Sequence, residues 1–238
     1  TKIKGFNIKL KYIRFFIILW YNGLIWPNTP SKKKYPVRGV DVSSYQGEID
    51  WETLENQDID FAFIKATEGS GYEDEYFQQN FQNASETGIR IGAYHFFSFD
   101  SSGITQAENF IKTVPKTQNM LPPVIDLEFY AQHGSDPPEK EETRYNLQKM
   151  IDAVYDYYGL MPVIYVTDIT YELYKGYFDD NDIWIRSIFT KAELPDERKW
   201  TFWQYCNRGR LDGYDGAEQY IDLNVFNGTK EEFENYKG

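Results

Sequence analysis

The run "PPVIDLEFY", residues 122–130, places Asp126 and Glu128 two residues apart at the end of an apolar stretch that reads as a buried strand. Successive strand side chains point to opposite faces, so the two acids share one face while Ile125 and Leu127 take the other. Two like charges on a poorly hydrated patch do not both ionise freely, and one carboxyl holds its proton more tightly than a free acid would. A proton retained beside an ionised neighbour is what a general acid needs. The same triplet also arises where a strand merely runs out into a solvated loop, so the pair acquires meaning only with partners.

Partners stand at the ends of other apolar runs. They are Asp41 in "GVDVSSYQG", Lys65, Thr67 and Glu68 in "FIKATEG", Tyr94 and His95 in "GAYHFF", Tyr165 and Asp168 in "IYVTD", Gln204 in "FWQYC" and Asp222 in "YIDLNVF". In β/α barrels the reacting groups come from the C-terminal ends of several strands. Ionisable and hydrogen-bonding residues at so many strand ends fit that arrangement better than a purely structural one.

The elements that must position these residues begin at Val37. Eight short runs, mostly β-branched or aromatic and bounded by Gly, Pro, Asp or Asn, read as strands. Helices are predicted at 74–87, 105–113 and 139–158, the last with Leu147, Ile151, Val154 and Tyr158 at helical spacing and Gly159 as its stop. Alternation of this kind implies parallel strands with crossover helices. About eight strands in one domain predict an α/β fold, an irregular TIM-like β/α barrel. Later connections look too short for a full helix each, so helices are expected to be missing from the C-terminal part, with 182–226 partly antiparallel or irregular.

Composition narrows the chemistry. The chain has 238 residues, 41% hydrophobic and 18% aromatic, with 20 Tyr and 6 Trp, which suits a cleft for sugar rings with their apolar faces and hydroxyl edges. A net charge of −12 argues against nucleic acid as a partner. Cys206 is the only cysteine, so no intrachain disulfide forms, and with His95 and His133 as the only histidines a structural zinc cluster is not expected. No metal or cofactor is expected, and catalysis falls to carboxylates. The metal-hydrolase alternative would join His95 to Asp41, Asp126 and Asp222.

The first residues differ from the rest. Lys2, Lys4, Lys9, Lys11 and Arg14 precede or flank "FFIILWYNGLIW", and "PNTPSKKKYP" then reads as a polar linker. Residues 1–36 are therefore read as a basic and apolar segment with its linker, and 37–238 as the catalytic barrel. A basic stretch before an apolar one resembles a secretory signal or membrane anchor, with membrane association through residues 9–26. The apolar core is shorter than the roughly 20 residues that span a bilayer, and Asn22 and Gly23 interrupt it. An ordered helix packed on the domain is the competing expectation.

Five ordered motifs, "GVDVSSYQGEIDW", "FAFIKATEG", "GAYHFF", "PPVIDLE" and "YIDLNVF", are similar to the landmarks of the glycoside hydrolase family 25 lysozymes, the Chalaropsis type, over residues 37–227. The resemblance implies an irregular β/α barrel and cleavage of the β-1,4 bond between N-acetylmuramic acid and N-acetylglucosamine in peptidoglycan. It implies Glu128 as general acid, Asp126 as its partner, and Asp41 and Asp222 as the other cleft carboxylates. Substrate contacts are expected from Lys65, Glu68, Tyr94, His95, Tyr165, Trp184 and Gln204. A monomer acting on glycan strands outside the cell or in its envelope is expected. Two routes stay open: inversion, and a substrate-assisted route in which Asp126 orients the 2-acetamido group while Glu128 protonates the leaving oxygen. Arg186 in "DIWIRSI" departs from the small residue usual there, which implies either a different wall contact near Trp184 or an ion pair with an acid such as Asp222. The alternatives are a catalytically silent glycan-binding module and a chitinase-like N-acetylglucosaminidase.

Overall fold

Eight strands close into a barrel. A computed structural model describes residues 2–22, 25–26 and 28–238, with side chains from residue 12 onward. The strands are β1 (Arg38–Val42), β2 (Phe61–Glu68), β4 (Arg90–Phe96), β5 (Val124–Leu127), β6 (Val163–Thr167), β7 (Ile183–Arg186), β8 (Phe202–Gly209) and β9 (Ile221–Phe226), and β3 (Tyr72–Glu73) is a short flap on β2. Neighbours run β1-β9-β8-β7-β6-β5-β4-β2, and pairing of β1 with β2 completes the ring. All contacts in the ring are parallel except those of β9, which is antiparallel to both β8 and β1. The antiparallel strand falls inside the portion predicted to be irregular.

Side-chain alternation sorts each strand into two faces. Phe61, Phe63, Val124, Val163, Tyr165, Trp184, Phe202 and Phe226 fill the barrel interior. Val40, Ala62, Ile64, Ile125, Leu127, Ile164, Val166 and Ile185 face outward to a second core beneath the helices. Glycines make room for the interior rings: a Cβ on Gly39 would stand 2.5 Å from the Phe61 ring, and one on Gly92 would stand 2.7 Å from Phe63.

The three predicted helices form with adjusted ends. The first is α3 (Phe77–Ser85), which starts after Asp74 because that carboxylate accepts instead from the backbone N–H of Ser44 and of Tyr76. Next comes α4 (Gly103–Thr113), started by Ser102, whose hydroxyl accepts from Thr105 N–H. The longest of the three is α5 (Lys140–Tyr158), which ends at Gly159 in the left-handed conformation, φ 71°. Short helices α2 (Trp51–Glu55), α6 (Asp168–Tyr174) and α7 (Lys230–Asn235) complete the barrel's cover. Among the described residues no helix joins β7 to β8 or β8 to β9.

Before the barrel runs α1 (Lys2–Tyr21). Tyr12, Ile13, Phe15, Phe16, Ile17, Ile18 and Tyr21 are all exposed on it. Among the described side chains its contacts with the barrel lie at its C-terminal foot, where Trp20 meets Trp26 and Phe189, each 6.0 Å between ring centres. Arg208 Nη1 and Tyr220 OH donate to the Tyr21 carbonyl at 2.8 and 3.2 Å. Among the described residues no helix is long and apolar enough to cross a membrane.

Candidate active site

The inward residues at the C-terminal ends of the strands form one cleft of about 830 Å³, lined among others by Asp41, Lys65, Tyr94, Asp126, Glu128, Tyr165, Trp184, Arg186, Gln204 and Asp222. Asp41 on β1 and Asp222 on β9 are direct partners across the antiparallel pair. Gln204 binds them together: its Nε2 donates to Asp41 at 3.2 and 3.0 Å and to Asp222 at 3.0 Å. Tyr165 OH donates to Gln204 Oε1 at 3.0 Å, which turns the amide so that its NH2 faces the acids. Asn224 Nδ2 donates to Asp41 Oδ2 at 2.7 Å and is itself oriented by Trp184 Nε1 at 2.9 Å. On the β5 side Asp126 is buried and its Oδ1 has no hydrogen-bond partner among the described residues.

Burial in the half-enclosed cleft raises all four carboxyls. Burial pushes Asp41 up to about 6 even though Gln204 and Asn224 donate to it. Asp126 rises well above the usual carboxylate range, first from burial and then from the charge of Glu128. Asp222 does the same, through burial and then Asp41. Glu128 is raised by burial, and the leading opposing influence is Arg186. The cleft therefore holds at least one proton at pH values where free carboxylates are ionised, and the Asp126–Glu128 pair shares it.

Comparison with known proteins converges on one family. The sequence profile of glycosyl hydrolases family 25 matches residues 40–214. The chain belongs to glycoside hydrolase family 25. A solved family 25 glycosyl hydrolase from Bacillus anthracis is 56% identical, superposes with a TM-score of 0.84, and is covered over 97% of its length by 89% of this chain. Lysozyme M1 of Streptomyces globisporus is 32% identical over 81% of this chain and 68% of its own. The N,O-diacetylmuramidase of Chalaropsis sp is 26% identical over 80% of this chain and 96% of its own. The chain is thus a peptidoglycan hydrolase that cleaves the bond between N-acetylmuramic acid and N-acetylglucosamine.

For a family 25 muramidase the placement of the sequence-predicted residues is informative. Asp41, Asp126, Glu128, Asp222, Lys65, Tyr94, Tyr165, Trp184 and Gln204 all line the cleft. His95 does not. It follows Tyr94 along β4, so it faces the opposite side, fully buried, with Thr67 Oγ1 2.7 Å from its Nδ1 and Gln106 Oε1 3.0 Å from its Nε2. Burial depresses its pKa to about 4, so the imidazole is neutral. The metal alternative thereby loses its imidazole ligand. Glu68 lies outside the lining and instead pairs with Lys65 Nζ at 2.7 Å, because the strand slips register between Lys65 and Thr67. Trp184 is a buried floor residue rather than a rim residue. Arg186 makes no ion pair with Asp222: among the described residues no carboxylate oxygen comes within 4.0 Å of its guanidinium. Sequence reading missed Asn224, although "IDLNV" sets it two residues from Asp222 and so on the same face. Tyr45, Phe129, Ile169 and Tyr220 also line the cleft, and as loop or helix-start residues they carry no period that marks them.

Proposed function

We propose that this muramidase works by the substrate-assisted route, with Glu128 as general acid and Asp126 as the group that holds the substrate's 2-acetamido N–H. The unpartnered, buried Oδ1 of Asp126 beside Glu128 carries this reading, because a buried acceptor left unpaired costs free energy that a donor from the substrate recovers. In the free cleft burial raises both Asp126 and Glu128, and the charge of Glu128 raises Asp126 further, so the pair shares a retained proton. An acetamido N–H donated to Oδ1 favours the Asp126 carboxylate, and exclusion of water by the glycan favours protonated Glu128, so binding moves the proton to the acid that uses it.

Glu128 then gives that proton to the glycosidic oxygen as the C–O bond breaks. The acetamido carbonyl oxygen bonds to the anomeric carbon, and Asp126 stabilises the positive oxazoline nitrogen. Water next attacks the anomeric carbon, Glu128 takes its proton, and the acetamide reforms. The Asp41–Gln204–Asp222 group supplies negative potential beneath the developing oxocarbenium ion. Tyr94, Tyr165 and Trp184 form the floor on which the sugar faces rest, with Lys65 at its edge. Two displacements return the starting anomeric configuration, so nuclear magnetic resonance of the first product should show the β anomer; an initial α anomer would establish inversion. Glu128→Gln should lower kcat/KM on purified wall material by about 10²- to 10⁴-fold with unchanged circular dichroism.

The substrate lies outside the cytoplasmic membrane, so the enzyme acts in the extracellular space or cell envelope. We further propose that it acts as a monomer held at a membrane surface by residues 9–26. Residues 1–40 carry nine Lys and Arg and no Asp or Glu, while the whole chain is −12, so attraction to an anionic surface is concentrated at this end. Tyr12, Ile13, Phe15, Phe16, Ile17 and Ile18 of α1 are exposed, and among the described side chains the helix meets the barrel at its foot.

A further inference from the structure

We propose that Arg186 is a specificity-determining residue that receives the carboxylate of the muramoyl lactyl arm, so that glycan strands whose lactyl groups are free of peptide are the preferred substrate class. The proposal rests on the muramidase reading and adds to it which muramoyl residues are favoured.

Arg186 is the last residue of β7 and lies two residues beyond Trp184, so both point into the barrel. Its backbone is in register with Thr167 of β6 and Gln204 of β8, and all three line the cleft. Other cleft cations are engaged: Lys65 pairs with Glu68 at 2.7 Å, and Arg208 donates to the Tyr21 carbonyl at 2.8 Å. The guanidinium of Arg186, among the described residues, has neither a hydrogen bond nor a carboxylate oxygen within 4.0 Å. Its field is nevertheless felt at Asp41, Asp126, Glu128, Asp168 and Asp222. A half-buried Arg among acids, paired with none of them, leaves its fork of donors directed at the space a ligand occupies.

N-acetylmuramic acid differs from N-acetylglucosamine by one substituent, an ether-linked lactyl group with a methyl and a carboxyl. Where no peptide is attached, that carboxyl is an anion entering a cleft already lined by four acids, and repulsion would exclude it without a cation to meet it. A guanidinium fork matches a carboxylate through two parallel hydrogen bonds. Ile169, two residues past Thr167 and 69% exposed on the cleft wall, offers an apolar neighbour for the lactyl methyl. Amide linkage to a stem peptide removes the charge and one acceptor oxygen, which weakens the match.

The test compares the full chain with Arg186→Gln and Arg186→Lys on two forms of one glycan preparation, strands with their stem peptides and strands stripped of them by an amidase. The wild type should favour the stripped strands. Arg186→Gln should raise KM on stripped strands on the order of 10- to 100-fold and change it less than about 3-fold on peptide-bearing strands, abolishing the preference. Arg186→Lys, which keeps the charge without the fork, should lie between, and carries the test should the Gln variant fail to fold. Equal losses on both substrates would assign Arg186 to its charge effect on Glu128 alone and overturn the proposal. Glu128→Gln, silent on both substrates, reports separately on the catalytic assignment.

Discussion

Asp126 and Glu128 occupy one face of one strand end, yet their surroundings divide them. Asp126 is enclosed with one oxygen unpaired, whereas Glu128 is more open to the cleft and feels Arg186 as its leading counter-charge. Asp126→Asn keeps the shape but removes the negative charge that stabilises an oxazoline nitrogen, so kcat should fall by about 10²- to 10³-fold. A neighbouring negative charge raises a carboxyl's pKa, so its loss should lower that of Glu128 and move the alkaline limb of the kcat/KM profile to lower pH. An unmoved limb together with a near-normal rate would assign Asp126 to structure.

At the scale of elements, the outward residues of β2 and β4 tie the barrel to α4. His95 accepts from Thr67 at Nδ1 and donates through Nε2 to Gln106, whose Oε1 also accepts from Ser98 N–H at 2.7 Å. Gln106 Nε2 in turn donates to the carbonyls of Ser98 and Ser101, so one helical side chain holds the loop that follows β4. His95→Ala would leave Thr67 and Gln106 buried with unmet hydrogen bonds and open a cavity, at a cost of about 2–4 kcal/mol. The expected signature is a lower Tm by roughly 4–16 °C with KM little changed, since His95 touches no substrate. A KM effect without a stability loss would return it to the binding site.

The whole molecule combines a crowded acidic cleft with a basic end. Asp41 has a folded pKa of about 6 against an ordinary 3.8, so the folded state binds the extra proton between those values and the stability from that proton fades as pH rises through about 6. Asp41→Asn cannot ionise, so its Tm relative to wild type should climb from pH 4 to about pH 7 and then level off. Comparing the two proteins cancels the opposite contribution of His95, whose depressed pKa of about 4 weakens the fold as pH falls below the ordinary His value. At the other end, a chain beginning at Tyr35 should still cleave soluble glycan strands but no longer sediment with anionic phospholipid vesicles. It loses the Asn28 Nδ2 bond to Ser187, the Trp26 Nε1 bond to the Tyr205 carbonyl, the Arg208 and Tyr220 bonds to the Tyr21 carbonyl and the Trp20–Phe189 contact, together worth about 2–4 kcal/mol, so Tm should drop by roughly 4–16 °C. A larger drop, or full retention on vesicles, would count against a surface anchor.

The acid pair, the eight strand runs and the family motifs are local patterns, and local patterns are legible because strand alternation and turn residues act within a few positions. The same alternation, applied strictly, separates Tyr94 from His95 and links Asp222 to Asn224. The sequence by itself thus determined the barrel class, the gathering of four carboxylates in one cleft and, through the family motifs, the reaction. Tertiary structure alone decided what those groups meet. Closure of β1 between β2 and β9 sets Asp41 opposite Asp222, and Gln204 reaches both only because β8 lies beside the reversed β9. The register slip after Lys65 couples Glu68 to that lysine and withdraws it from the cleft. Whether Arg186 pairs with an acid was likewise undecidable from the chain, because Coulomb attraction depends on distances that residues far apart in sequence acquire only when the barrel closes.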